Sequence, residues 1–148
     1  MKKGISYFGV RRPKWALEDM KEIKERGFTH VLHTWSEEDL LYYRDSMQEI
    51  IDGSDELGLK VYVNPWGVGR VFGGEAFSEL VGRNFSLAQK TVDGKSKVAA
   101  CPNQQELRDY MDQWIQDRLG DHTQKSIGYF IVPKYSIIIP LLKQEVDG

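Results

Sequence analysis

Cysteine is almost absent from this 148-residue chain: Cys101 stands alone, so no internal disulfide can staple the fold. Long apolar runs are missing as well. The uncharged stretch 136–142 falls far short of the ~20 residues that a membrane-spanning helix needs, so no membrane partner is expected. Neither sign of charge dominates, since 20 Lys and Arg face 22 Asp and Glu for a formal net charge of −2. That balance removes any general attraction to nucleic acid or to an anionic lipid surface. Lys2 and Lys3 precede only a short apolar run before Arg11, Arg12 and Pro13. Such a start does not read as a signal peptide, and the cytoplasm is the expected compartment.

What is present is alternation. The run Ile5-Ser6-Tyr7-Phe8-Gly9-Val10 suits a buried strand, and Pro13 then sits where a helix accepts proline in its first turn. Ala16, Leu17, Met20 and Ile23 follow at helical spacing, with Gly27 placed to end the helix. Residues 29–35 predict a second strand. Ser36, with Asp39 three positions on, predicts a capped helix whose apolar stripe is Leu40, Tyr43, Met47, Ile50 and Leu57; Gly53 weakens it and Gly58 ends it. A third strand is expected over residues 59–64, stopping at Pro65. Ile5, Val31 and Val61 mark spacings of 26 and 30 residues. Strands alternating with helices in this way predict parallel βαβ units, and hence an α/β fold.

Beyond Asn64 the periodicity fails. Residues 64–103 hold Gly67, Gly69, Gly73, Gly74, Gly82 and Gly94, and predict a long lid-like loop with one short helical turn at 75–81. Gly67 to Gly74 follows a strand as a phosphate-cradling loop would, yet Phe72 stands where a dinucleotide fingerprint needs glycine, so no cofactor is expected. Asn103 precedes a helix expected from Gln104 to about Leu119, buried through Leu107, Tyr110, Met111, Trp114 and Ile115. Residues 126–142 carry a single charge, Lys134, and are expected to supply a fourth strand over 127–132 and a short fifth over 136–139, before a polar tail.

Several of these segments, in order, resemble glycoside-hydrolase-like TIM-barrel proteins over residues 3–118: Gly4-Ile5-Ser6-Tyr7-Phe8-Gly9, His33-Thr34-Trp35-Ser36-Glu37, Val61 to Gly69, Val71 to Glu75, and Ala100-Cys101-Pro102-Asn103. The resemblance implies a (β/α)-barrel with a sugar-like ligand across the C-terminal ends of its strands. Tyr7, His33, Trp35, Asn64 and Trp66 stand at those ends, the face where barrels build their sites. They are the candidate binding residues, with Asn103 as a further one. Trp35 and Trp66 read either as sugar platforms or as packing. His33 reads either as an acid–base group or as a satisfied core histidine. It stands three residues from His30, so alternation turns the two to opposite faces and a shared metal is not expected.

Glycosidase chemistry needs two carboxyl groups across the scissile bond. The resemblance implies an acidic residue at the end of strand four, but Phe130-Ile131-Val132-Pro133-Lys134-Tyr135 has none. Glu37, Glu38 and Asp39 read as capping residues, leaving Glu75 as the acid candidate or as a solvated loop residue. Four strands also fall short of a closed barrel, which takes ~8 strands and ~250 residues. The chain is therefore expected to be a single half-barrel-like domain. It would form an open sheet, pair as a homodimer, or represent a remnant left by a frameshift near residue 118. The functional expectations are a catalytically incomplete carbohydrate-active protein, a saccharide- or partner-binding module, or a remnant without function.

Overall fold

The computed structural model describes residues 2–71, 77–119 and 127–129. Its first half is two turns of one motif. Strand β1 (Gly4–Tyr7) leads to helix α1 (Pro13–Glu25), and strand β2 (His30–Thr34) leads to helices α2 (Glu37–Tyr42) and α3 (Arg44–Glu56), then strand β3 (Lys60–Asn64). Pro13 occupies the first turn of α1, where its missing N–H costs no helical hydrogen bond. Both long helices end in the same way. Phe28 N donates to Ile23 O at 3.2 Å and Gly27 N to Lys24 O at 2.9 Å, while Leu59 N donates to Ser54 O at 3.2 Å and Gly58 N to Asp55 O at 2.7 Å. These are Schellman caps, and they require the left-handed backbone that Gly27 (φ 84°) and Gly58 (φ 78°) supply.

The three strands pair in parallel and in chain order. Ile5 faces Val31 and Val31 faces Val61, so the three residues that mark the sequence repeat share one row of the sheet. Strand β6 (Ile127–Tyr129) adds in parallel to β3, giving the order β1-β2-β3-β6. This is the start of the expected fourth strand; residues 130–132 and the expected fifth strand lie outside the described residues. The fold is thus mixed α/β around a parallel sheet. No helix among the described residues is long and apolar enough to cross a membrane.

Two expectations are corrected. The helix expected to run unbroken from Ser36 to Leu57 bends at Tyr43 (φ −130°, ψ 22°), which ends α2 and precedes α3. Tyr43 leaves the apolar stripe there, and its ring takes the Arg11 guanidinium 4.4 Å from its centre. The stretch 64–103 is not one long loop. It contains a 3-10 turn (Val68–Arg70), helix α4 (Glu79–Arg83), a second 3-10 turn (Phe85–Leu87) and an antiparallel hairpin of β4 (Ala88–Lys90) and β5 (Ser96–Ala100). Its strands are too short and too polar to show a period. Helix α5 (Gln105–Leu119) follows as expected, burying Leu107, Met111 and Trp114.

A single apolar core joins these parts. Ala16, Met20, Met47, Ile50 and Ile51 pack beneath Val31, Val61 and Val63, and the cluster continues through Val68, Val81, Ala88, Ala100 and the buried face of α5. Burial of that many apolar side chains, at ~25 cal/mol per Å², is the main term holding the halves together. Helices α1 and α3 meet tightly at Gly53, where an added Cβ would lie 2.5 Å from Leu17 Cδ2. Glycine there serves packing between helices at the expense of helix propensity. Gly53→Val is therefore expected to lower unfolding stability by about 2 kcal/mol in urea melts. Leu17→Ala should cost less in the valine background than alone, because it relieves the same clash.

Candidate functional site

Parallel register brings the C-terminal ends of β1, β2 and β3 to one edge of the sheet, with Tyr7 beside His33 and Thr34 beside Asn64. Period-two alternation then divides the candidate residues between two faces. Tyr7 turns toward the helices, where its hydroxyl donates to Asp19 Oδ2 of α1 and its ring meets His33 edge-on at 6.0 Å. Burial, and then Asp19, raise its pKa. His33 is 1% exposed on the same side. Its Nε2 lies 3.0 Å from Ser54 Oγ, and Ser54 spends its own hydroxyl proton on Ile50 O at 2.6 Å. The serine oxygen thus accepts from His33 Nε2–H. Burial lowers the imidazole pKa to about 4, against a smaller opposing contribution from the Tyr7 backbone. Trp35 is 0% exposed and belongs to the core. Tyr7, His33 and Trp35 accordingly pack into the sheet–helix layer, where Tyr7 and His33 line a small cavity of about 30 Å³ with Arg11, Thr34, Asp39 and Met47; His33 is there as a buried, hydrogen-bonded histidine.

The remaining candidates behave differently. Trp66 is 40% exposed and stacks on Phe8, itself 51% exposed, with ring centres 6.2 Å apart and planes 19° from parallel. Phe8 directly follows β1 and Trp66 follows β3 by two residues, so the pair spans the end of β2 between them. Phe8 is the rim residue that the spacing arguments passed over, although an aromatic immediately after a strand was the available signal. Asn64 is 3% exposed; its backbone oxygen accepts Trp35 N–H at 2.8 Å and Trp66 N–H at 2.7 Å. Asn103 is exposed in the turn before α5. Glu75 lies outside the described residues.

The acidic run after β2 is fully engaged. Ser36 Oγ accepts Asp39 N–H at 3.1 Å and Asp39 Oδ2 accepts Ser36 N–H at 2.9 Å, which completes the expected capping box. Arg11 bonds Asp39 through Nε and Glu38 through Nη2, both at 2.8 Å. Glu37 has another role. Only 3% exposed, its carboxylate accepts Gly69 N–H at 2.7 Å, Ser78 Oγ–H at 2.8 Å and Leu80 N–H at 3.0 Å. It thereby ties α2 to the turn after β3 and to the start of α4. That turn is tight: Gly69 has φ 58°, and a Cβ on it would meet Leu107 Cδ1 at 3.0 Å. Arg70 follows at φ 55°, a left-handed conformation that costs a non-glycine residue energy. Tyr110 lies near enough to feel Glu37, and its pKa is pushed up to about 12 by burial first and by that charge second. No local pattern announced the role of Glu37, because its partners stand 32 to 43 residues away.

Compared with known proteins, the chain matches no protein-family model and no curated protein. The geometry itself offers a flat, exposed aromatic pair at the strand ends beside a buried amide, with the carboxylates of residues 37–39 already bonded elsewhere.

Two measurements check this assignment. Glu37→Gln replaces an acceptor oxygen by an NH2 facing donors, and is expected to lower stability by about 3 kcal/mol in urea titrations. For His33, the folded-state pKa of about 4 lies below the ordinary 6.5, so the unfolded chain binds more protons between those values. The stability that neutral His33 contributes, on the order of 3 kcal/mol, is fully present above pH 6.5 and lost as pH falls toward 4. His33→Gln should flatten the stability profile across that window relative to the parent.

Proposed function

We propose that this chain forms an arc of a glycoside-hydrolase-like (β/α)-barrel and binds a saccharide at the C-terminal rim of its sheet, without completing glycosidase chemistry. The carrying observation is the stacked, exposed pair of Phe8 and Trp66 over the strand ends. A sugar ring presents C–H groups on its faces and hydroxyls at its edge, which suits an aromatic face flanked by polar groups.

The sheet supports the barrel part of this reading. Its strand order follows chain order and every pairing is parallel. A doubly wound sheet reverses its order at a switch point and places helices on both faces; here α1 and α3 pack against each other and into one core with Val31, Val61 and Val63. On the other face, Gly4, Ser6, His30, Leu32 and Tyr62 border an open groove of about 470 Å³. The engagement of the carboxylates after β2 supports binding without turnover. A glycosidase keeps two of them free to face the scissile bond, whereas Glu37, Glu38 and Asp39 are held by N–H and O–H donors or by Arg11.

Titration with cellotetraose, xylotetraose, maltotetraose and chitotetraose, followed by calorimetry and tryptophan fluorescence, is expected to give saturable binding of at least one. Trp66→Ala should weaken that binding roughly tenfold, about 1.4 kcal/mol. Aryl glycosides should show no turnover. The reading is lost if none of the four binds, or if Trp66→Ala binds as the parent does.

A further inference from the structure

The loop that carries Phe8 has few fixed points. Strand β1 ends at Tyr7 and helix α1 begins at Pro13. Among the described residues, no backbone–backbone hydrogen bond holds Gly9, Val10 or Arg11 in a turn. Gly9 is left-handed at φ 81°, although an added Cβ would meet nothing within 4 Å, so glycine stands there for its backbone freedom. Side chains hold such a segment in place. Val10 packs against the core, and Arg11 reaches across to α2.

The two ion pairs of Arg11 are unequal. Nη2 bonds Glu38 at 2.8 Å, but the Glu38 side chain is 56% exposed, and water screens a pair of that kind until it contributes little. Nε bonds Asp39 Oδ1 at 2.8 Å, and the Asp39 side chain is only 5% exposed. Asp39 is itself fixed, because its other oxygen accepts Ser36 N–H at 2.9 Å. The Tyr43 ring packs against the guanidinium as well. Phe8 stands three residues before this anchor, with its ring stacked on Trp66.

We propose that Arg11 is the positioning residue of the rim: held on Asp39, it fixes the loop that presents Phe8 to Trp66, and so preorganises the aromatic pair for a saccharide. This inference rests on the saccharide reading. Arg11 need not touch the sugar, since it acts by removing an ordering cost that binding would otherwise carry.

The test uses the Trp15→Phe protein, in which Trp66 is the exposed tryptophan because Trp35 and Trp114 are buried. Acrylamide quenching then reports how far Phe8 covers Trp66. Arg11→Met, which keeps an apolar stem and loses the guanidinium, should raise the quenching constant to that of Phe8→Ala. Asp39→Asn, which keeps an oxygen for Ser36 and turns an NH2 toward Arg11, should act likewise, so the failure of one variant to fold leaves the other to decide. Arg11→Met should also weaken the best-bound tetrasaccharide roughly fivefold, and Glu38→Gln by less than about twofold. In the Phe8→Ala background Arg11→Met should weaken binding no further, whereas a merely structural role would cost the same in both backgrounds. Unchanged quenching in the folded variants, or an equal loss of affinity with and without Phe8, would each overturn the assignment. If Trp66→Ala weakens binding and Arg11→Met does not, the saccharide reading survives and this inference alone fails; if the parent binds no sugar, both fall.

Discussion

A residue in a β-strand belongs to one face of the sheet, and parallel pairing extends that choice across neighbouring strands. Here the register joins Tyr7 to His33 and His33 to Val63 in one row, and the whole row faces the helices. The chemistry of each side chain follows from that placement. His33 loses its water and is held neutral against Ser54. Tyr7 finds Asp19 on α1. Asn64, one step out of phase with Val63, is set on the other side with its amide oxygen unpaired. Residue types suited to a binding site are present in both rows, but at the strand ends it is the loop residues Phe8 and Trp66 that are exposed.

The second constraint acts at long range. Glu37 brings a carboxylate into the interior and satisfies it with two backbone N–H groups and one hydroxyl from the segment after β3. Burying a carboxylate is expensive unless such donors surround it. One of those donors, Gly69 N–H, stands in the turn where Gly69 and Arg70 are both left-handed. The same turn carries Trp66 near its start and leads to the hairpin and α5, whose apolar residues complete the core. The exposed aromatic pair is therefore set by a group that does not itself reach the surface.

Much of the scaffold was legible from local pattern. Pro13, Gly27 and Gly58 punctuate the helices as their backbone conformations require, and the spacing of Ile5, Val31 and Val61 gives the parallel register itself. The hairpin escaped because β4 has three residues and β5 alternates poorly, yet Asp93-Gly94, with Gly94 at φ 78°, was a readable turn signal. The bend at Tyr43 had no such signal; Arg11 meets Glu38, Asp39 and the Tyr43 ring there from another loop.

By itself the amino-acid sequence determined the alternation of strands and helices, their caps, and which residues stand at the strand ends, because each of these is set by interactions within a few residues. Tertiary structure alone decided which of those strand-end residues are dry and which are exposed, that Phe8 pairs with Trp66, and that Glu37 anchors a turn 32 residues away. Burial, stacking and long-range hydrogen bonds depend on what the rest of the chain places opposite a side chain, and no local window contains that partner.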